Sequence, residues 1–138
     1  LILRSEIDEI VGVDEADILF LHTGYSRIMD DPSTYPDDFP ALSVDAARYL
    51  RRELKNLKAV AIDTTSIEGA NGPGEGFPVH HELLDVQNRR ERPLLIYENV
   101  FLSELAELNN DYRVYAFPIR FVGLDASPVA MVAESREP

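Results

Sequence analysis

Three short apolar runs constrain the fold of this 138-residue chain more than any other feature. They occupy residues 18–21, 59–63 and 94–97, and the second ends at the polar Asp63. Apolar runs that do not alternate with polar residues favour strands covered on both faces, as in parallel or mixed sheets with helices packed against them. These runs therefore predict a buried sheet that positions the loops at its ends.

The clearest helix follows Ser43, which is a favourable capping residue. Its apolar side chains form one stripe and its charged side chains face elsewhere: Ala46, Ala47, Leu50 and Leu54 against Arg48, Arg51, Arg52 and Glu53. Shorter helices are predicted over residues 5–11, 80–86 and 104–108, the first and last capped by Ser5 and Ser103.

Two strands are predicted near the end of the chain, over residues 112–122 and 129–133, joined by a turn at 123–128. Pro118 interrupts the first of them, which indicates an edge position or a bulge. The order of elements predicts an α/β fold with a mixed β-sheet and flanking helices, in a single domain over residues 1–138.

Two long loops stand out by composition. Residues 26–42 contain three prolines, which predict a loop without regular structure. A loop of this length is about equally consistent with a binding or lid element and with a surface excursion or subunit contact. Residues 64–76 contain four glycines, but no Gly-Lys-Ser/Thr and no helix directly behind them, so they lack a phosphate-binding pattern. A flexible flap is the better description of this second loop.

The charge balance is acidic, with 25 Asp and Glu against 13 Lys and Arg and a net charge of −12. Such a surface repels phosphate backbones, which argues against nucleic-acid binding. The chain has no Cys, which excludes disulfides and thiol catalysis, and no apolar run long enough to span a membrane. We therefore expect a soluble protein, with the cytoplasm as the default location.

A histidine pair and one carboxylate are the candidate site residues. His80 and His81 follow the glycine-rich loop, and Glu98 ends the third apolar run, where a buried carboxylate needs a partner. These residue types suit zinc or manganese. A capping or core role for His80, and an ion pair with an arginine for Glu98, remain alternatives. His81 is a register alternative to His80, although neighbouring helical residues do not share a face.

Several segments, in this order, resemble the cyclase family of metal-dependent hydrolases, which includes bacterial kynurenine formamidases. Residues 17–25 are similar to the pattern GDxxLxxTGW, and residues 60–66 are similar to GxDTxSxD. Residues 39–43, 77–80, 96–99, 116–120 and 125–129 also match family segments. The resemblance covers nearly the whole chain.

The resemblance implies a swivelling β/β/α fold, a zinc or manganese centre and a small-molecule substrate with an amide, N-formyl or cyclic amide or ester bond. It also implies a tendency to form homo-oligomers, for which the loop at 26–42 is the candidate contact. By motif position the late ligands of the family fall on His80 and Glu98. Asp63 is then expected to orient the site, unless it caps the following loop, and Thr64 could do either.

The chain departs from the family pattern in three respects. The signature HxGTHxDxPxH, which supplies the other ligands and the general acid/base histidine, is absent, and His22 stands where relatives usually carry Arg. An insertion around residues 88–92 lengthens the separation of His80 from Glu98. The chain begins at Leu1 without an initiator Met, so we expect an N-terminally incomplete domain.

Two hypotheses follow from these observations. In the first, the protein is a metal-dependent hydrolase of the cyclase and formamidase type, and this chain supplies only the later part of its metal site. In the second, it is a truncated, non-catalytic paralogue that serves as a binding or oligomerisation module.

Overall fold

A computed structural model describes residues 1–28, 39–69, 76–85, 92–105 and 112–135 of the chain. The chain divides into two compact units, Leu1–Glu104 and Leu105–Pro138. Five predicted features lie partly outside the described residues: the loop at 26–42, the glycine-rich loop, the helix at 80–86, the insertion at 88–92 and the helix at 104–108. Within the described ranges, no helix is long and apolar enough to cross a membrane.

The first unit contains a parallel sheet. Its strands are β1 (Ile18–Leu21), β2 (Ala59–Ile62) and β3 (Leu95–Tyr97), paired in the order β1-β2-β3. All four residues of β2, the central strand, are buried. The three apolar runs are therefore confirmed as strands, and the carboxyl ends of all three strands lie at one edge of the sheet.

The helices of this unit are α1 (Arg4–Asp8), α2 (Val44–Arg52) and α3 (Pro78–Leu84). The Ser43 side chain accepts a hydrogen bond from the Ala46 amide at 3.1 Å, so the predicted cap of α2 is confirmed. The predicted apolar stripe is also confirmed, since its members belong to the buried core: Ala46, Ala47, Leu50 and Leu54. Ala46, Ala47 and Leu50 therefore form the α2 surface that faces the buried core, and Leu54 joins that core just beyond the helix.

Helix α1 is shorter than predicted and begins before Ser5. Its N-cap is Leu3, whose amide donates to Glu6 Oε2 at 2.7 Å, and the helix ends at Asp8. A carboxylate in the first turn thus replaces the predicted serine cap. Only one of its side chains, Ile7, is buried, which leaves little packing to extend the helix.

Tyr49 links α2 to α1. Its hydroxyl donates to Asp8 Oδ1 at 2.8 Å, and the Arg4 guanidinium lies 4.7 Å from the centre of its ring. The hydrogen bond to Asp8 raises the pKa of Tyr49 from 10.0 to about 12. The contact therefore favours the neutral phenol.

Replacing Tyr49 by Phe should lower the free energy of unfolding by about 1 kcal/mol near neutral pH, because one partly buried hydrogen bond is lost. Because the folded-state pKa is raised, this contribution is complete below pH 10 and is lost as the pH rises towards about 12. Urea unfolding of both proteins from pH 8 to pH 12 measures the difference. A gap that stays constant across this range would contradict the assignment.

The second unit contains an antiparallel pair, β4 (Tyr112–Pro118) and β5 (Val129–Ser135). Pro118 pairs with Val129 at the last position of the ladder, so it ends the strand instead of interrupting it. Strand β4 is accordingly shorter than predicted, since proline cannot donate to a continuing ladder. The α/β class is confirmed, with parallel and antiparallel strands in two separate sheets of the described chain.

Candidate functional site

Two of the predicted site residues directly follow parallel strands of the first unit, and a third lies in a helix. Asp63 comes directly after β2, Glu98 directly after β3, and His80 lies in α3. Ligand sites of open α/β sheets lie outside the carboxyl ends of the strands. The fold therefore places these residues where a site is expected.

His80 and Glu98 are in direct contact. His80 Nε2 lies 3.2 Å from Glu98 Oε1, and the two side chains are 26% and 32% exposed. The same Glu98 oxygen accepts hydrogen bonds from the Ile67 amide at 2.8 Å and from Ser66 Oγ at 3.1 Å. Glu98 was expected on a buried strand, but it lies just beyond β3 and its side chain reaches solvent.

The other nitrogen of the His80 ring contacts a residue that the sequence analysis missed. Nδ1 lies 2.9 Å from Oε2 of Glu68, whose side chain is only 6% exposed. The final acidic position of the pattern GxDTxSxD falls on Glu68, so the motif could have identified Glu68 as a candidate site residue. The imidazole of His80 is thus held between two carboxylates.

Asp63 is fully buried and organises the loop after β1. It accepts hydrogen bonds from the Thr23 amide at 2.8 Å, from Thr23 Oγ1 at 2.6 Å and from the Gly24 amide at 2.8 Å. Ser26 Oγ lies 3.4 Å away, and His22 Nε2 lies 3.9 Å away. Asp63 therefore binds the segment that follows the neighbouring strand, β1. The alternative prediction was that Asp63 caps the loop that follows it in the chain.

Thr64 connects the segments that follow β2 and β3. Its carbonyl accepts a hydrogen bond from the Asn99 amide at 2.8 Å, and its hydroxyl donates to the Ser66 carbonyl at 2.7 Å. Asn99 has a positive φ of 62°, a conformation that Asn tolerates better than most residues. Thr64 therefore links the backbone just after Glu98 to the segment whose Ser66 hydroxyl contacts the Glu98 side chain.

His81 lies apart from the His80–Glu98 contact. It lines a cleft of about 660 Å³ between α2 and α3, together with Arg48, Arg52 and Glu82. Both arginines pair with Glu82, at 3.6 Å and 2.9 Å respectively. The contact with Glu98 is made by His80, the residue to which the motif position pointed.

Two donors for a metal ion are arranged suitably in this site. Ligand bonds of about 2.0–2.1 Å at a tetrahedral angle separate two donor atoms by about 3.3 Å, close to the observed 3.2 Å. The carboxylate behind Nδ1 is the usual outer partner of a ligating histidine. Across the described ranges, however, no group of three or more His, Asp or Glu residues is arranged to hold a metal ion.

Comparison with known proteins gives consistent matches. Residues 2–69 match a protein-family model described as "Putative cyclase". A kynurenine formamidase of Geobacillus thermodenitrificans is 26% identical over 125 residues, which cover 86% of this chain and 54% of the relative. One of Delftia acidovorans is 37% identical over 76 residues, which cover 55% of this chain and 32% of the relative.

A third relative, a kynurenine formamidase of Bordetella petrii, is 29% identical over 98 residues, which cover 71% of this chain and 41% of the relative. The chain therefore spans between about a third and just over half of the length of these relatives. The family match and the repeated similarity to one group of enzymes agree with the motifs found in the sequence. The chain is therefore similar to the cyclase family over residues 2–69 and to kynurenine formamidases over most of its length.

Proposed function

We propose that this chain contributes His80 and Glu98 as two ligands to a divalent metal site, with zinc or manganese as the metal, in a hydrolase. The observation that carries the proposal is the 3.2 Å contact between His80 Nε2 and Glu98 Oε1, with the opposite ring nitrogen already bound by Glu68. An imidazole nitrogen and a carboxylate oxygen are donors that both metals accept.

The surrounding residues hold these two donors in place. The Ile67 amide and Ser66 hydroxyl fix Glu98 Oε1, and the Glu68 carboxylate fixes the His80 ring. The chemistry that a bound cation supplies is activation of water and polarisation of a substrate carbonyl. The role of this chain is to present a nitrogen and an oxygen at a set separation, with little reorganisation on binding.

The proposed substrate is a small molecule with an amide, N-formyl or cyclic amide or ester bond. Support comes from the relatives, all three of which are kynurenine formamidases by name. Because the chain spans at most about half of their length, we propose that the remaining ligands come from polypeptide outside this sequence. Hydrolysis then requires that additional polypeptide.

A second candidate function is a non-catalytic module that retains the fold. It is favoured by the finding that the described ranges hold no group of three acidic or histidine ligands. The two candidates differ in one measurable property. A module of this kind has no reason to bind zinc or manganese through His80 and Glu98.

Isothermal titration calorimetry of the chain with Zn²⁺ and Mn²⁺ tests the proposal. We expect one metal equivalent, and a loss of affinity of about tenfold or more in both His80→Ala and Glu98→Ala, because each change removes one of two donors. His81→Ala is the matched control, since that side chain lines the cleft between α2 and α3. Its affinity should equal that of the unmodified chain.

Equal metal binding by all four proteins would contradict the assignment of the ligands. Hydrolysis of N-formylkynurenine is a separate assay of the substrate class. It should be run on a protein that also contains the signature HxGTHxDxPxH, because this chain is proposed to hold only part of the site.

A further inference from the structure

Glu68 makes two kinds of contact with the first turn of α3. Its Oε1 accepts a hydrogen bond from the Val79 amide at 3.1 Å, and its Oε2 accepts one from the His80 amide at 3.4 Å. The same Oε2 lies 2.9 Å from His80 Nδ1. One buried carboxylate therefore holds both the backbone and the ring of His80.

The start of α3 depends on this carboxylate because its own N-cap offers no acceptor. The N-cap is Phe77, with φ 56° and ψ 58° and no side-chain capping bond, and Pro78 follows it. The left-handed conformation is unfavourable for a bulky residue and persists only where its surroundings hold it. Glu68 supplies the acceptor that a Ser or Asp at the N-cap normally supplies.

The contact with Nδ1 also selects a tautomer. A carboxylate only accepts hydrogen bonds, so Nδ1 must carry the hydrogen, and Nε2 of a neutral ring keeps its lone pair. Glu98 competes for a hydrogen on Nε2, but its contact is longer, 3.2 Å against 2.9 Å, and its side chain is 32% exposed against 6% for Glu68. The shorter and more buried hydrogen bond is the stronger one.

We propose that Glu68 is a positioning residue that holds the neutral His80 ring in its Nδ1–H form. The lone pair of Nε2, on the side of the ring that faces Glu98, is then available to a metal ion. The consequence for metal binding rests on the proposed function. The tautomer itself does not, because it is a property of the metal-free chain.

The test is a long-range ¹H–¹⁵N NMR experiment on the metal-free chain, at a pH at which its histidines are neutral. His80→Ala identifies the His80 signals, and His22 and His81 serve as internal references. The expected result is a mainly Nδ1–H tautomer in the unmodified chain. In Glu68→Gln the amide group can donate to Nδ1, and the ring should change to mainly Nε2–H.

The expected effect of Glu68→Gln on Zn²⁺ affinity is a loss of about 10- to 100-fold, typical of outer partners of ligating histidines. Ser43→Ala is the matched control, because it removes the cap of another helix, α2, where the Ser43 hydroxyl accepts from the Ala46 amide. It should leave both the tautomer and the Zn²⁺ affinity unchanged. Comparison of the two variants separates the effect of losing a helix cap from the effect of releasing the His80 ring.

An Nε2–H ring in the unmodified chain would overturn the inference without any variant having to fold. An Nδ1–H ring that persists in a folded Glu68→Gln variant would also overturn it. If the tautomer changes as expected but the unmodified chain binds no metal, the positioning role stands and the proposed metal site is wrong.

Discussion

Replacing Asp63 by Asn should lower the free energy of unfolding of the first unit by about 2–4 kcal/mol, one of the two largest effects expected. Asp63 is fully buried, and its oxygens accept hydrogen bonds from the Thr23 amide, the Thr23 hydroxyl and the Gly24 amide. The Asn side chain has the same shape, but its NH₂ group must face a donor. Buried donors without acceptors carry the full cost of desolvation.

Urea denaturation followed by circular dichroism measures this loss, with Asp17→Asn as the control. Asp17 forms a surface ion pair with Lys58, and its side chain is 67% exposed. The same substitution there should cost less than about 1 kcal/mol. Equal effects at the two positions would show that the contacts of Asp63 with the loop after β1 contribute little.

Replacing Arg51 by Ala should cost about 2–4 kcal/mol, because a buried guanidinium holds the end of α3. Arg51 is only 6% exposed, and it donates to the carbonyls of Glu82 at 2.6 Å and of Asp85 at 2.5 Å. Helix carbonyls at a C-terminus have no partner within the helix and depend on such donors. The change should therefore loosen the helix that carries His80.

Arg52→Ala is the matched control, one residue further along the same helix. Its side chain is 46% exposed and pairs with Glu82 at 2.9 Å, so its loss should cost less than about 1 kcal/mol. Hydrogen exchange of the α3 amides adds a local measurement. We expect faster exchange in Arg51→Ala and little change in Arg52→Ala, and the reverse order would contradict the role of Arg51.

Arg51 also shows where prediction from periodicity ends. The pattern of α2 separated the apolar stripe from the charged residues correctly, and it grouped Arg51 with Arg48 and Arg52 on the charged side. In the fold, α3 packs against that side, and Arg51 reaches its last carbonyls. A long side chain with a charged end is compatible with solvent and with burial against another helix. Which of the two occurs depends on a neighbour that the local pattern does not identify.

The candidate site divides in a similar way. The motifs identified His80 and Glu98 as candidate ligands, and the third apolar run placed Glu98 at the end of a strand. Their proximity followed from the resemblance, which makes both residues ligands of one metal centre. The Glu68 carboxylate behind the ring did not follow, since 12 residues separate Glu68 from His80 along the chain. The partners of Asp63, about 40 residues earlier in the chain, were also unpredicted.

By itself, the sequence determined the elements whose cause is local: the positions of the three parallel strands and the helix capped by Ser43. It overestimated the burial of β3, none of whose residues is buried, and it continued β4 past Pro118, where the strand ends. Its ordered motifs also indicated a resemblance to the cyclase family, with which the comparisons agree. Only the tertiary structure decided which side chains meet. Parallel pairing of β1, β2 and β3 brings the ends of distant segments to one edge. Hydrogen-bond partners there are set by distance in space, for which spacing along the chain is no guide.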